Sequence, residues 1–355
     1  MKKFNLDSHK LHYHFDRVAE FAKNGDCAPL YMEVSPVGLC NHRCIFCAYD
    51  YIGYPNRRLE PTRFLEFIKE VSEAGLRSML YAGEGEPLVH PNIGEFVKTT
   101  KSCGIDVGMF SNGQLLSLKL AEEILPSLTF LRFSFNAGSK ENYSKIHGVS
   151  GRVFERVVEN IRYACEFRKK ERLEVDLGSQ FVLLPENMEY LLSAIRTLKA
   201  CGVDYLSVKP FVQQNGAQHY KLKHAFKLDE LRELIRRANE ESTENFKVLF
   251  RENAFENYGE RSYCHCYGTS FITVLNSAGE LASCLPYWDQ AEYVYGNINK
   301  ASFGEIWAGE RRARIKRFLE KELDTKKCPP NCRPNAINGF LSEIIERDIK
   351  HINFI

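Results

Sequence analysis

The chain has 355 residues, 44% of them hydrophobic and 26% charged, with 48 basic against 46 acidic side chains and a net charge of +2. That length supports a large core and one or two domains, and that balance gives no global pull toward nucleic acid. No run approaches the roughly 18 apolar residues of a membrane span, and the first residues, MKKFNLDSHKLHYHFDRVAEF, lack the apolar centre of a signal peptide. A cytoplasmic protein is expected, engaging neither membrane nor nucleic acid. Twelve cysteines are many for a reducing compartment. Where clustered they point to metal ligation or redox chemistry, and where isolated to packing.

Taken in chain order, residues 1–30 read as an N-terminal helical extension. Six strands follow: YMEVSPV from Tyr31, SMLYAG from Ser78, IDVGMFS from Ile105, FLRFSFN from Phe130, LEVDLGSQFVL from Leu173 and VDYLSVKP from Val203. Helical patterns fall near 60–74, 91–102, 115–125, 151–170, 186–200 and 228–242. Three of these helices end at Gly75, Gly104 or Gly202 and run straight into a β-rich segment, the expected glycine C-cap. Cys103, Cys201 and the helical Cys165 read as packing residues, while Cys27 stays undecided. Repeated helix-to-strand units predict an α/β fold, a partial (β/α)6 barrel over 31–245 with parallel strands and right-handed crossovers. Ligands in such sheets sit at the C-terminal ends of the strands. The loops after the first four strands, with three cysteines, GEGEP, SNG and NAG, converge on that rim.

Beyond about residue 245 the pattern changes. FITVLNSAGELASC reads as a hairpin turning over Asn276–Gly279. A helix with Ile306 and Trp307 follows, then the basic GERRARIKRF, read as an exposed helical face, then KKCPPNCRPN. Residues 246–340 therefore read as a small module held by ligands, with 341–355 as a tail.

The loop after the first strand, LCNHRCIFCAYDY, carries Cys40, Cys44 and Cys47 at gaps of three and two residues. Zinc sites usually offer four protein ligands in paired spacing, whereas a cubane iron–sulfur cluster can take three thiolates and leave one iron open. The motif resembles the signature of the radical S-adenosylmethionine (SAM) superfamily, and the likeness extends over roughly 30–335. It implies a 4Fe–4S cluster on Cys40, Cys44 and Cys47, with SAM on the open iron and Phe46 helping to hold the adenine. GEGEP resembles the family's glycine–glutamate–proline motif, which places Gly85 and Glu86 beside the methionyl amino group. Glu84 stands where a glycine is commoner. Ser111, Asn112, Ser134 and Asn136 match positions lining the SAM ribose and carboxylate, and each also suits turn chemistry. The resemblance implies reductive cleavage of SAM to a 5′-deoxyadenosyl radical that abstracts hydrogen from an unactivated carbon.

Cys266 lies 13 residues before Gly279 and Cys284 five after it, so a hairpin brings the two together. Cys328 and Cys332 add a CxxxC pair. Four thiolates suit a closed cubane cluster or a zinc ion. The arrangement resembles the auxiliary-cluster extension called SPASM or twitch, with Gly296, Asn297 and Trp307 of YGNINKASFGEIW in place. That likeness implies one auxiliary 4Fe–4S cluster on Cys266, Cys284, Cys328 and Cys332, with Cys264 as the alternative to Cys266.

The leading expectation is an enzyme that oxidises or rearranges a small polar metabolite such as an amino sugar, a cyclitol or a nucleotide-linked sugar. The auxiliary cluster would accept an electron, and a flavodoxin- or ferredoxin-type donor would supply the first one. The alternative is modification of a ribosomally made peptide by thioether crosslinking or epimerisation. Tyr31 opens the first strand, which leaves little room ahead of it for the leader-binding domain often fused to such enzymes. A non-catalytic cluster-carrying protein is the third reading. No side chain is assigned a catalytic role; Gln180, Lys209 and Glu252 are interior candidates.

Overall fold

The computed structural model describes residues 8–214, 216–222, 225–346, 350, 351 and 354. The first seven residues of the expected N-terminal extension and most of the expected tail after residue 346 lie outside them. Helix α1 (Phe15–Asn24) precedes strand β1 (Tyr31–Val34). Then come α2 (Pro61–Glu73), β2 (Ser78–Tyr81), α3 (Ile93–Ser102), β3 (Asp106–Ser111), α4 (Leu118–Ile124) and β4 (Phe130–Ser134). Two helices, α5 (Lys140–His147) and α6 (Arg152–Lys170), lead to β5 (Asp176–Leu183), followed by α7 (Leu191–Cys201), β6 (Tyr205–Pro210), α8 (Leu228–Glu240) and β7 (Lys247–Phe250). The C-terminal part holds α9 (Glu252–Glu256), β8 (Ile272–Leu275), β9 (Glu280–Ala282), β10 (Val294–Asn297), α10 (Phe303–Ala308), α11 (Glu310–Lys321) and α12 (Asn335–Ile345).

Local chemistry accounts for these boundaries. Glu60 caps α2 by accepting from the N–H groups of Thr62 and Arg63, and Pro61 sits at the first helical position. Gly75, Gly104 and Gly202 all adopt positive φ (91°, 78° and 87°), as the chain turns from helix into strand. Cys165 and Cys201 are buried in the main core, and Cys103 packs against it.

Strands β1 to β7 are parallel in sequential order, each paired to the next, and the expected partial barrel is present. The short β7 is an addition to the six strands read from the sequence. The hairpin β8–β9 turns over Asn276–Gly279, where the N–H of Gly279 bonds back to the carbonyl of Asn276. Its first strand, β8, runs parallel to β1 in the register Tyr31↔Ile272 to Val34↔Leu275. One sheet of ten strands, in the order β10-β9-β8-β1-β2-β3-β4-β5-β6-β7, thus carries both the barrel and the hairpin. The basic helix α11 exposes Arg311, Arg314 and Arg317 as expected, while it buries Arg312 with Ile315 and Leu319. Arg312 pairs with Asp26 at 2.7 Å and stacks on Trp307.

Side chains alternate across a strand. Glu33, Arg132, Ser134, Gln180, Val182 and Lys209 all share the inward face and line one cavity of about 1220 Å³. Parallel barrel strands normally point branched apolar residues inward. Here charged and amide side chains interrupt that face, beside apolar ones such as Leu80, Phe110, Phe130 and Val274.

Candidate functional site

The cysteine loop after β1 is fixed from three sides. The N–H groups of Arg43 and Ile45 donate to the carbonyls of His147 and Ile146, the last residues of α5. Gly148 permits this approach, because a Cβ there would fall 2.2 Å from the Arg43 carbonyl oxygen. From β3, the Asn112 amide donates to Asn41 Oδ1 (2.8 Å) and the Gln114 carbonyl accepts from Asn41 (2.9 Å) and faces His42 Nε2 at 2.8 Å. From β2, the N–H of Glu86 donates to the Leu39 carbonyl. Gly85, at φ 71°, is required where it stands: a Cβ would lie 2.1 Å from the Val37 carbonyl oxygen.

Cys40, Cys44 and Cys47 all open onto the cavity. Burial is the main influence on each thiol, pushing Cys40 up to about 12 and Cys44 and Cys47 upward too; the Glu86 carboxylate adds to the shift of Cys40. Such thiols carry protons until a metal displaces them. Among the described residues, the one group of three metal-ligating side chains with atoms within 4.8 Å of one another is His42, Cys44 and His147. Cys40, Cys44 and Cys47 bring three thiols to one cavity, a donor set that suits a cubane cluster with one iron left open.

Glu86 is buried, and its carboxylate is held by the Ser111 hydroxyl (2.7 Å) and the N–H groups of Asn112 (2.8 Å) and Leu88 (3.1 Å). Burial raises its pKa against the pull of these bonds. Gly85, Ser111, Asn112, Ser134 and Phe46 join it on the cavity wall. Asn136 reaches the wall as well, but its side-chain oxygen accepts from the N–H of Val182 (2.7 Å) and so ties β4 to β5. Glu84 points elsewhere. It accepts from Ser277 N (2.9 Å) and Oγ (2.5 Å) and pairs with Arg57 (3.1 Å), joining the loop after β2 to the tip of the hairpin.

The sequence reading missed His147. Its Nδ1 lies 3.3 Å from Cys44 Sγ, and its Nε2 accepts from the N–H of Asn136 at 3.3 Å. The signals for α5 were present: Ser139 caps it by accepting from Asn142 N–H, and Gly148 ends it in the left-handed conformation. Glu252 does not join the site; it lines a separate surface hollow with Phe255 and Tyr258.

Cys266, Cys284, Cys328 and Cys332 come together beyond β8. Burial dominates the upward shift of all four. Cys332 and Cys328 act further on Cys266, and all three partners act on Cys284. Cys266 is buried and accepts from the Asn338 amide at 3.3 Å. Cys264 is exposed. Four mutually close, unpaired thiols whose anions are disfavoured make a donor set that suits a fully ligated cluster. Cys284 and Cys332 also line the cavity that Cys40, Cys44 and Cys47 line.

Comparison with known proteins bears on both cysteine sets. Residues 34–207 match the sequence profile of the radical SAM superfamily. Residues 264–334 match that of SPASM, an iron–sulfur cluster-binding domain. The chain is 23% identical over 318 residues, 84% of its length and 85% of the relative's, to a Pyrococcus furiosus protein named as a tungsten-containing aldehyde ferredoxin oxidoreductase cofactor-modifying protein. A probable GTP 3′,8-cyclase of Saccharolobus islandicus is 29% identical over 174 residues, so the chain spans about half, 54%, of that relative. In fold it is similar to SuiB of Streptococcus suis bound to S-adenosylmethionine (TM-score 0.66, 16% identity, 90% of this chain and 75% of that one). It is also similar to anSMEcpe with bound AdoMet (TM-score 0.58, 17% identity, 82% and 80%). Among the described residues no helix is long and apolar enough to cross a membrane.

Proposed function

The chain is a radical SAM superfamily enzyme with a SPASM domain, and from that premise we propose that it abstracts hydrogen from a small polar metabolite, with an auxiliary 4Fe–4S cluster as electron acceptor. We assign Cys40, Cys44 and Cys47 to the SAM-binding cluster and Cys266, Cys284, Cys328 and Cys332 to the auxiliary one. The barrel of 31–245 then makes the radical, and the module of 246–340 completes the chamber. The observation that carries the reading is the single cavity lined at once by Cys40, Cys44, Cys47, Cys284 and Cys332.

When bound, the first cluster and SAM supply the one-electron cleavage that leaves methionine and a 5′-deoxyadenosyl radical. The chain's own residues orient and shelter. Glu86, fixed by Ser111 and Asn112, would hold the amino group of SAM with its buried carboxylate. Phe46 offers a ring at the edge of the apolar cluster formed by Ile146, Val182, Leu184 and Phe211. An inward face bearing Gln180, Lys209 and Arg132 supports a polar substrate held away from bulk water. A flavodoxin- or ferredoxin-type donor in the reducing cytoplasm completes the reading.

The test is anaerobic reconstitution followed by reduction with SAM present. Replacing Cys40, Cys44 and Cys47 together by Ala should abolish 5′-deoxyadenosine, and its persistence would refute the assignment. Deuterium should pass from labelled sugars or cyclitols into 5′-deoxyadenosine; transfer from a peptide and from none of these metabolites would replace the substrate reading with peptide modification.

A further inference from the structure

The inward face of the barrel holds a lysine that the cleavage of SAM does not use. Register places it. Ser134 of β4 pairs with Gln180 of β5, and Gln180 with Ser207 of β6; one layer nearer the mouth, Val182 pairs with Lys209. Ser134, Gln180, Val182 and Lys209 all line the cavity that the cluster cysteines Cys284 and Cys332 also line. Val182 belongs to the apolar cluster of Ile146, Leu184 and Phe211, which Phe46 borders. Lys209 therefore neighbours the wall assigned to the adenine of SAM.

Lys209 makes no hydrogen bond or ion pair among the described residues. The other side chains of this cavity that could take a proton are engaged or peripheral. Glu33 is paired with Arg333 at 2.5 Å and accepts from the Tyr31 hydroxyl at 3.0 Å. Glu86 is held by Ser111, Asn112 and Leu88. His42 faces Gln114, and His147 faces Cys44. Glu260 and Lys10 are exposed to solvent. Burial is the main influence on the Lys209 amine and lowers it to about 7; the charges of Arg251, Arg333 and Arg132 add to this, and Glu33 opposes it. A lysine so placed is a base at neutral pH, close to the optimum for proton transfer.

We propose that Lys209 Nζ accepts the hydroxyl proton of an alcohol substrate as that alcohol is oxidised to a carbonyl. A C–H hydrogen atom passes to the 5′-deoxyadenosyl radical, which leaves 5′-deoxyadenosine and a carbon radical bearing the hydroxyl. The O–H bond then breaks and its proton goes to Lys209 Nζ. The unpaired electron leaves for the oxidised auxiliary 4Fe–4S cluster as the C=O double bond forms. The substrate thus loses one hydrogen atom, one proton and one electron, two electrons in all. Loss of the proton makes the carbon radical a stronger reductant, so the lysine prepares the electron transfer. This assignment rests on the reading that the chamber oxidises a small polar metabolite. It adds that the oxidised group is an alcohol and names its base.

The test uses the anaerobically reconstituted full chain with SAM, a reductant and a panel of C-deuterated sugars and cyclitols. It reads the ratio of carbonyl product to deuterated 5′-deoxyadenosine, which should be close to stoichiometric in wild type. In Lys209→Met the ratio should fall about a hundredfold, the usual contribution of a positioned base. Lys209→Arg keeps the positive charge but holds its proton, so the ratio should fall there too. A ratio unchanged in Lys209→Met, or restored in Lys209→Arg, overturns the proposal, because a lysine that only packs or attracts would lower both products together. A second measurement needs no variant. Acetylation of Lys209 in the wild-type protein, mapped by mass spectrometry, should rise with a midpoint near pH 7, against about 10 for exposed lysines. An ordinary midpoint, or no labelling at any pH, overturns the proposal. The wild-type products separate the failures: if carbonyl forms and the variants keep the ratio, only the base assignment falls. If deuterium reaches 5′-deoxyadenosine without carbonyl product, or from no member of the panel, the oxidation reading falls with it.

Discussion

Cys44 Sγ and His147 Nδ1 stand 3.3 Å apart at the end of α5. The backbone N–H of Asn136 points at Nε2, so that nitrogen is the acceptor and the ring proton sits on Nδ1, aimed at the sulfur. Burial, with His42 nearby, keeps the ring neutral. An N–H···S bond stabilises the more negative, reduced state of a cluster. Replacing His147 by Phe should therefore lower the midpoint potential of the SAM-binding cluster by roughly 20–60 mV, the equivalent of about 0.5–1.5 kcal/mol for one electron. Redox titration followed by electron paramagnetic resonance checks this, and an unmoved potential would show that the contact carries no bond.

Glu84 occupies the position where related motifs hold glycine, and it acts as a strut. Its carboxylate, 2% exposed, accepts from both Ser277 groups and pairs with the partly exposed Arg57. Restoring glycine should therefore harm the protein. Glu84→Gly would leave the Ser277 N–H and hydroxyl without their acceptor, costing on the order of 2–3 kcal/mol. A lower thermal midpoint under anaerobic conditions is the expected result, and an unchanged or raised one would refute the strut.

What the sequence disclosed follows from locality. Cys40, Cys44 and Cys47 lie on one loop at a restricted spacing, so the motif and the superfamily were legible together. The glycine caps at Gly75, Gly104 and Gly202 were legible because positive φ favours a residue without a Cβ. The rest depends on register or distance. Glu84 and Ser277 are 193 residues apart. The pairing of β8 with β1 joins the hairpin to the barrel without any local signal. Gln180 and Lys209 were named as interior candidates, but Arg132 joins them only once β4, β5 and β6 are aligned. Glu252 has the same polar character and faces another hollow, because it lies on α9 and not on a strand.

The choice between Cys264 and Cys266 gives a direct prediction. Cys266 is buried against Asn338 and lies in the field of Cys328 and Cys332, while Cys264 is exposed. Wild-type protein should hold about eight irons, two 4Fe–4S clusters. Cys264→Ala should keep them, and Cys266→Ala should fall toward about four. Iron and sulfide analysis decides it, and the reverse pattern would exchange the two ligands.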